Sequence, residues 1–220
     1  MTATMKTGAV NADAVTAEER LHIRTAQADD VGLIAELMYS SGPDIYDYLY
    51  QEKALDFLRY EFASGRGFAG HPHVTVAVRA GEVVGTGCFY GRRDYERLLN
   101  GTVKNMTRFF GYLGVVPVLF RSRHLKSVMR APRPGELYLS NFGVSPQQRS
   151  QGIGSQMIQH KLQQAREQGY DLFGLDVSVA NPRGQALYSR LGLQVTQEKT
   201  FSNPRAGVNP ARKMELALLP

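Results

Sequence analysis

The chain has 220 residues, enough for one α/β domain with a sizeable core. A hydrophobic fraction of 43% and a charged fraction of 21% belong to an ordinary globular protein, and no apolar run approaches the roughly 18–20 residues that span a bilayer. The net charge of +6 is local rather than general: the stretch from Arg97 to Arg133 alone carries +8 and no acidic residue, leaving −2 for everything else, which argues against a dedicated nucleic-acid-binding domain.

Residues 1–20 are rich in Ala and Thr and lack the apolar core of a signal peptide, so they read as a frayed tail on a cytoplasmic protein. Residues 21–220 read as a single domain. His22-Ile23-Arg24-Thr25 alternates as a short strand. Ala28-Asp29-Asp30 offers a helix N-cap ahead of Val31, Leu33, Ile34, Leu37 and Met38, and Ser41-Gly42-Pro43-Asp44 ends that helix. An aromatic stretch, Tyr46, Tyr48 and Tyr50, precedes a second helix through Leu55, Leu58, Tyr60 and Phe62. Strands His73–Arg79 and Glu82–Tyr90 follow, turned by Ala80-Gly81.

Gly91–Gly135 is basic yet too apolar for a linker, and predicts one or two helices broken near Gly114 and Pro117. The last third alternates strand and helix: Glu136–Val144, Gly152–Gln168, Leu172–Val177, Pro182–Leu191, Leu193–Gln197 and Arg212–Leu218. That order argues α/β with part of the sheet parallel. The lone cysteine, Cys88, sits in an apolar strand and reads as a core thiol. The five histidines have no metal-ligand spacing, so no metal is implied.

The chemistry gathers at Arg149-Ser150-Gln151-Gly152-Ile153-Gly154. A Gly-rich turn entering a helix presents unpaired N–H groups at the positive end of the helix dipole, and Arg149 adds a charge that can fork onto phosphate oxygens. No lysine follows Gly154, which excludes a P-loop. Met157 stands where a dinucleotide fingerprint needs its third glycine.

The run Val144-Ser145-Pro146-Gln147-Gln148-Arg149-Ser150-Gln151-Gly152-Ile153-Gly154 resembles the acetyl-CoA signature of the GNAT superfamily of N-acetyltransferases. Leu175-Asp176-Val177-Ser178-Val179-Ala180-Asn181-Pro182 and Ala186-Leu187-Tyr188-Ser189-Arg190-Leu191-Gly192-Leu193 resemble its second half, nearest the branch of ribosomal-protein and other N-terminal amine acetyltransferases. The resemblance implies a mixed, centrally splayed sheet of six to seven strands flanked by helices, with 91–135 as a helical insertion between strands 3 and 4. It implies acetyl-CoA as co-substrate, held by Phe142, Gly143, Val144, Arg149, Ser150, Gln151, Gly152, Ile153, Gly154, Ser155 and Asn181. The acceptor would be an amine on a small molecule or protein, attacking the thioester directly in a ternary complex.

Within that frame Tyr188 is the expected acid for the departing thiol, against a plain packing role. Asp176 and Glu136 compete as base, with no dedicated protein base as the third reading. Asn181 serves as a cofactor contact, a helix N-cap or both. Tyr46, Tyr48 and Tyr50, with Asp44 and Asp47, offer a cradle for a cationic amine. The insertion is either a packed helical cap or a docking surface for something anionic, and contact of 97–133 with nucleic acid or an anionic membrane stays open, as does a homodimer. A non-catalytic acyl-CoA-binding module on the same fold is the rival function.

Overall fold

The computed structural model describes residues 20–30 and 32–218; the tail expected over residues 1–19 lies outside them. Seven strands form one sheet in the order β1-β2-β3-β4-β5-β7-β6. They are β1 (His22–Thr25), β2 (Val74–Arg79), β3 (Glu82–Gly91), β4 (Glu136–Val144), β5 (Leu172–Ser178), β6 (Gln194–Lys199) and β7 (Ala211–Ala217). Only β4 and β5 run parallel; every other pair is antiparallel. This is the expected α/β architecture, with its long helical insertion between the third and fourth strands.

Helices cover both faces: α1 (Ile34–Tyr39), α2 (Pro43–Tyr50), α3 (Ala54–Ser64), α4 (Arg92–Ser122), α5 (Ile153–Glu167) and α6 (Pro182–Arg190). Alternation within the strands sorts the two faces. Leu137, Leu139, Phe173, Leu175 and Val177 face Ile158 and Leu162 of α5 and Tyr188 of α6, making a dry core. On the opposite face Tyr138 and Tyr90 pack with Leu98 of α4, while Cys88, Val74 and Val76 pack with α1 and α3. Cys88 is a core thiol as expected, and burial pushes it up to about 12.

Two local expectations are corrected. Asp30 does not cap α1, which starts at Ile34 without a side-chain cap. Its carboxylate instead grips Arg24 at 2.6 and 2.8 Å and accepts from the Gln27 N–H. The break in the insertion falls at Gly111 rather than at Gly114 or Pro117. Gly111 has φ 71° and ψ 170°, a conformation open to glycine alone, and it divides α4 into two helices. Pro117 continues the second of them; the carbonyl it leaves unpaired belongs to Leu113, a residue open to water.

The feature that creates a site is the separation of β4 from β5. Their pairing runs from Glu136–Leu172 to Leu139–Leu175 and stops there. Beyond it β4 stays with β3 as far as Val144, and β5 stays with β7 as far as Ser178. A bulge drives β4 aside: the register against β3 shifts between Thr86 and Cys88, and Asn141 adopts φ 53°. Asparagine tolerates that left-handed backbone, and here its side chain is fixed from both ends. Its Oδ1 accepts from the Tyr46 hydroxyl at 2.7 Å and its Nδ2 donates to the Cys88 sulfur at 3.6 Å.

Candidate active site

A cleft of about 770 Å³ opens where the two strands part. Phe142, Gly143, Val144, Arg149, Ser150, Gly152, Ile153, Gly154, Ser155 and Asn181 all line it, as does Tyr188. These residues come from β4, the following loop, α5 and α6, so the fold unites both halves of the sequence pattern. Gln151 is the exception. It turns out of the cleft, where its Oε1 accepts from Arg79 at 2.5 Å.

The cleft is built for an anion at one end and an extended chain along one wall. Gly152, whose φ of 79° reverses the chain, leads into α5 at Ile153, with no side chain capping the first turn. The leading N–H groups of α5 therefore face the cleft unpaired, at the positive end of a 15-residue helix. Arg149, Arg183 and Arg190 line the same space and supply cations for phosphate oxygens. Arg149 donates from Nε to the Val144 carbonyl at 3.1 Å, which tethers it at the mouth. Along the wall, Phe142–Val144 has β3 on one edge and no strand on the other, so its free edge can pair with amide groups of a long ligand. α6 differs from α5 at its start: Asn181 caps it by accepting the Gly184 N–H at 2.9 Å, with Pro182 in the first turn. Asn181 thus caps a helix and lines the cleft at once.

Tyr188 reaches the cleft from the apolar side of the sheet, its ring 6.4 Å from that of Phe142. It is buried, and burial raises its phenol above the usual tyrosine value, so it carries its proton at neutral pH. Tyr188 lines the cleft, so its proton is within reach of a bound group there.

Asp176 lies at the root of the splay, one residue past the last β4–β5 pair, and points to the opposite face. It does not line the cleft. Both its oxygens are engaged by Lys199, at 2.7 and 3.0 Å, and Oδ2 also accepts from the Tyr138 hydroxyl at 2.8 Å. Both side chains of this ion pair are buried, and the Lys199 ammonium further donates to the Val128 carbonyl at 3.1 Å.

Glu136 is corrected as a candidate base. It occupies the first position of β4, eight residues and roughly 26 Å from Val144. Nor is it a solvated strand end: its buried carboxylate accepts from the Arg133 N–H at 2.8 Å and pairs with Lys213 at 3.2 Å. The tyrosine cradle is corrected as well. Alternate residues diverge on a helix, so Tyr46 and Tyr50 share a face and stack in the core. Tyr48 points elsewhere, edge-on to Phe201, with Asn203 donating to its hydroxyl at 3.2 Å. None of the three lines the cleft.

Of the proposed cradle only Asp44 lines the cleft, and sequence reasoning passed over its neighbours Ser40–Pro43 and Asn209. Ser40–Asp44 lines the cleft's other wall together with Asn209, and Asp44 Oδ2 accepts from the Asn209 backbone at 2.8 Å and its side chain at 3.0 Å. No local signal links residues 165 positions apart. Arg183 and Arg190 did carry one: their seven-residue spacing on a helix puts both on one face beside Asn181.

The model of the acetyltransferase (GNAT) family matches residues 36–193, which span the splay, the Gly-rich turn into α5 and α6. Among solved structures, the chain resembles an acetyltransferase at TM-score 0.65 and 22% identity, covering 90% of this chain and 100% of that one. It also resembles an N-acetyltransferase from Staphylococcus aureus Mu50 at TM-score 0.64 and 16% identity, with coverages of 89% and 100%. A ribosomal-protein-alanine N-acetyltransferase from Brucella melitensis superposes at TM-score 0.54 and 18% identity, with coverages of 89% and 99%. At these identities the structures speak for the fold. No protein of curated function matches the sequence. An uncapped helix start and an open strand edge in a cleft that three arginines also line fit the phosphates and amides of coenzyme A; the chain belongs to the GNAT family of acetyltransferases, whose co-substrate is acetyl-CoA.

Proposed function

We propose that the protein is an N-acetyltransferase, passing the acetyl group of acetyl-CoA to a primary amine by direct attack while both substrates are bound. The observation that carries this reading is the protonated Tyr188 phenol in a cleft that also presents the free edge of β4 and the open start of α5.

Acetyl-CoA supplies the electrophilic thioester when bound. Arg149, Arg183, Arg190 and the first N–H groups of α5 bind its phosphates, and Phe142–Val144 orients its extended arm as an added strand. A backbone N–H near Val144 faces the carbonyl oxygen as negative charge builds on it. Tyr188 donates its proton to the departing sulfur, and a phenol of pKa near ~10 or above is restored afterwards from solvent. The amine's proton passes to water, because Asp176 is already occupied by Lys199 and Tyr138. Asp176 serves as a positioning residue, holding Tyr138 and Lys199 at the root of the splay.

CoA release measured across a panel of primary amines tests the proposal. Wild-type protein should turn over at least one class with intersecting initial-rate lines. Tyr188→Phe should lower kcat by about 10²–10⁴ with little change in the KM for acetyl-CoA. Unchanged kcat would remove Tyr188 from the chemistry, and tight acetyl-CoA binding without turnover of any amine would favour a non-catalytic binding module.

A further inference from the structure

We propose that the second half of α4 is a membrane-contact surface that seats the protein on an anionic lipid bilayer. This goes beyond acetyl transfer and does not depend on it. After the break at Gly111, the helix from Tyr112 to Ser122 is apolar almost all round, yet it packs only one side. Val115 and Val118 enter the core against Tyr50 and Phe57. The other side stands in solvent: Tyr112 is 87% exposed, Leu113 90%, Val116 60% and Phe120 56%. At 3.6 residues per turn these four lie along one stripe, opposite the packed valines. A helix that is apolar on every side belongs in an apolar setting, and a contiguous exposed stripe marks a surface with a partner.

Charge selects the partner. No acidic residue occurs from Arg97 to Gly135, and Arg108, Arg123 and Lys126, within six residues of the stripe along the chain, are exposed. None of the three takes part in an ion pair among the described residues. Arg123 lies 3.5 Å above the Phe120 ring, which holds a cation at the rim of the apolar surface. A second copy docked stripe to stripe would bring two cation-flanked surfaces together with no acidic residue of this stretch between them, so self-association is opposed. A peptide ligand calls for a groove, whereas here the side chains project outward from a convex helix. A fluid anionic interface satisfies both features: projecting apolar groups enter to about 5–10 Å, and flanking Arg and Lys sit at the headgroups. The segment rests on the surface and does not span it, since no helix among the described residues is long and apolar enough to cross a membrane.

The stripe also connects to the cleft. Arg121, on the same helix, donates to the Leu49 carbonyl at 3.0 and 2.7 Å, near the end of α2. The other end of α2, Pro43 and Asp44, lines the cleft. The bilayer would therefore lie one eight-residue helix from the acetyl-transfer site.

Co-sedimentation of the full chain with vesicles tests this, using phosphatidylcholine alone and phosphatidylcholine mixed with phosphatidylglycerol, at low and high salt. Binding should require phosphatidylglycerol and weaken with salt. Arg108→Gln/Arg123→Gln/Lys126→Gln should weaken it about a hundredfold, roughly fivefold per cation, and Leu113→Glu/Val116→Glu should abolish it. Both variants change exposed side chains, and an unchanged melting temperature with acetyl-CoA present confirms that each remains folded. No sedimentation with the anionic vesicles at low salt would overturn the proposal. So would binding that survives in the Leu113→Glu/Val116→Glu variant, or a stripe-dependent dimer in light scattering without vesicle binding.

Discussion

The two faces of the sheet are built from different materials. On the α5–α6 side the packing is apolar, Tyr188 is the polar group that reaches the cleft from it, and the charged residues stand at the rim as arginines. On the α1–α4 side ionisable groups are buried: Asp176 with Lys199, Glu136 with Lys213 and Arg133, and Glu61 among Asn105 and Thr102. A dry face can keep one phenol protonated, while a paired ionic face cannot spare a carboxylate without unpairing its partner. The acid we propose for the reaction, Tyr188, therefore lies on the dry side. The ionic side holds the geometry of the strands.

If that division is right, the largest effect comes from breaking the buried pair. Lys199→Met strands the Asp176 carboxylate and should cost about 3–5 kcal/mol, lowering the melting temperature by roughly 6–20 °C. Lys199→Met/Asp176→Leu should recover much of the loss. A single variant as stable as wild type would mean that water reaches the pair, and the contrast between the faces would fall.

Glu61 offers a second probe of the same face. Burial outweighs its hydrogen bonds from Thr102, Asn105 and the Ala69 N–H, and raises its carboxyl to about 7. Because the folded value lies above the unfolded one, the neutral form stabilises the protein fully below pH about 4.5. That stability is lost as pH rises through about 7, by up to about 3 kcal/mol. Glu61→Gln should flatten the dependence, and urea midpoints near pH ~5 and ~8 would report it. An equally steep slope in the variant would assign the titration to another group. The smallest effect belongs to the dry side, where Asn181→Ala removes the α6 cap. It should cost about 1 kcal/mol, or roughly 2–4 °C, with α5 unaffected because that helix has no side-chain cap to lose.

What could be read in advance followed from local causes. The strand at Glu136–Val144 was found at its observed ends, because alternation and the Ser-Pro that follows act over a few residues. The Gly-rich turn into α5 was legible because a glycine turn, an arginine and a helix start are neighbours in the chain. The break at Gly111 was not, since three prolines or glycines lie within seven residues and only packing chooses which one turns.

By itself, then, the sequence determined the order of the elements, the glycine turn into α5, the place of Tyr188 on α6 and the local excess of positive charge, all carried by short-range patterns. Tertiary structure decided the rest. It paired Asp176 with Lys199, 23 residues away, and buried Glu136 at the far end of its strand. It turned Tyr46 and Tyr50 into the core, joined Asp44 to Asn209 across the cleft, and left the stripe at Tyr112–Phe120 facing solvent. In each case the fate of a side chain depends on what a distant segment places against it, and periodicity carries no record of that neighbour.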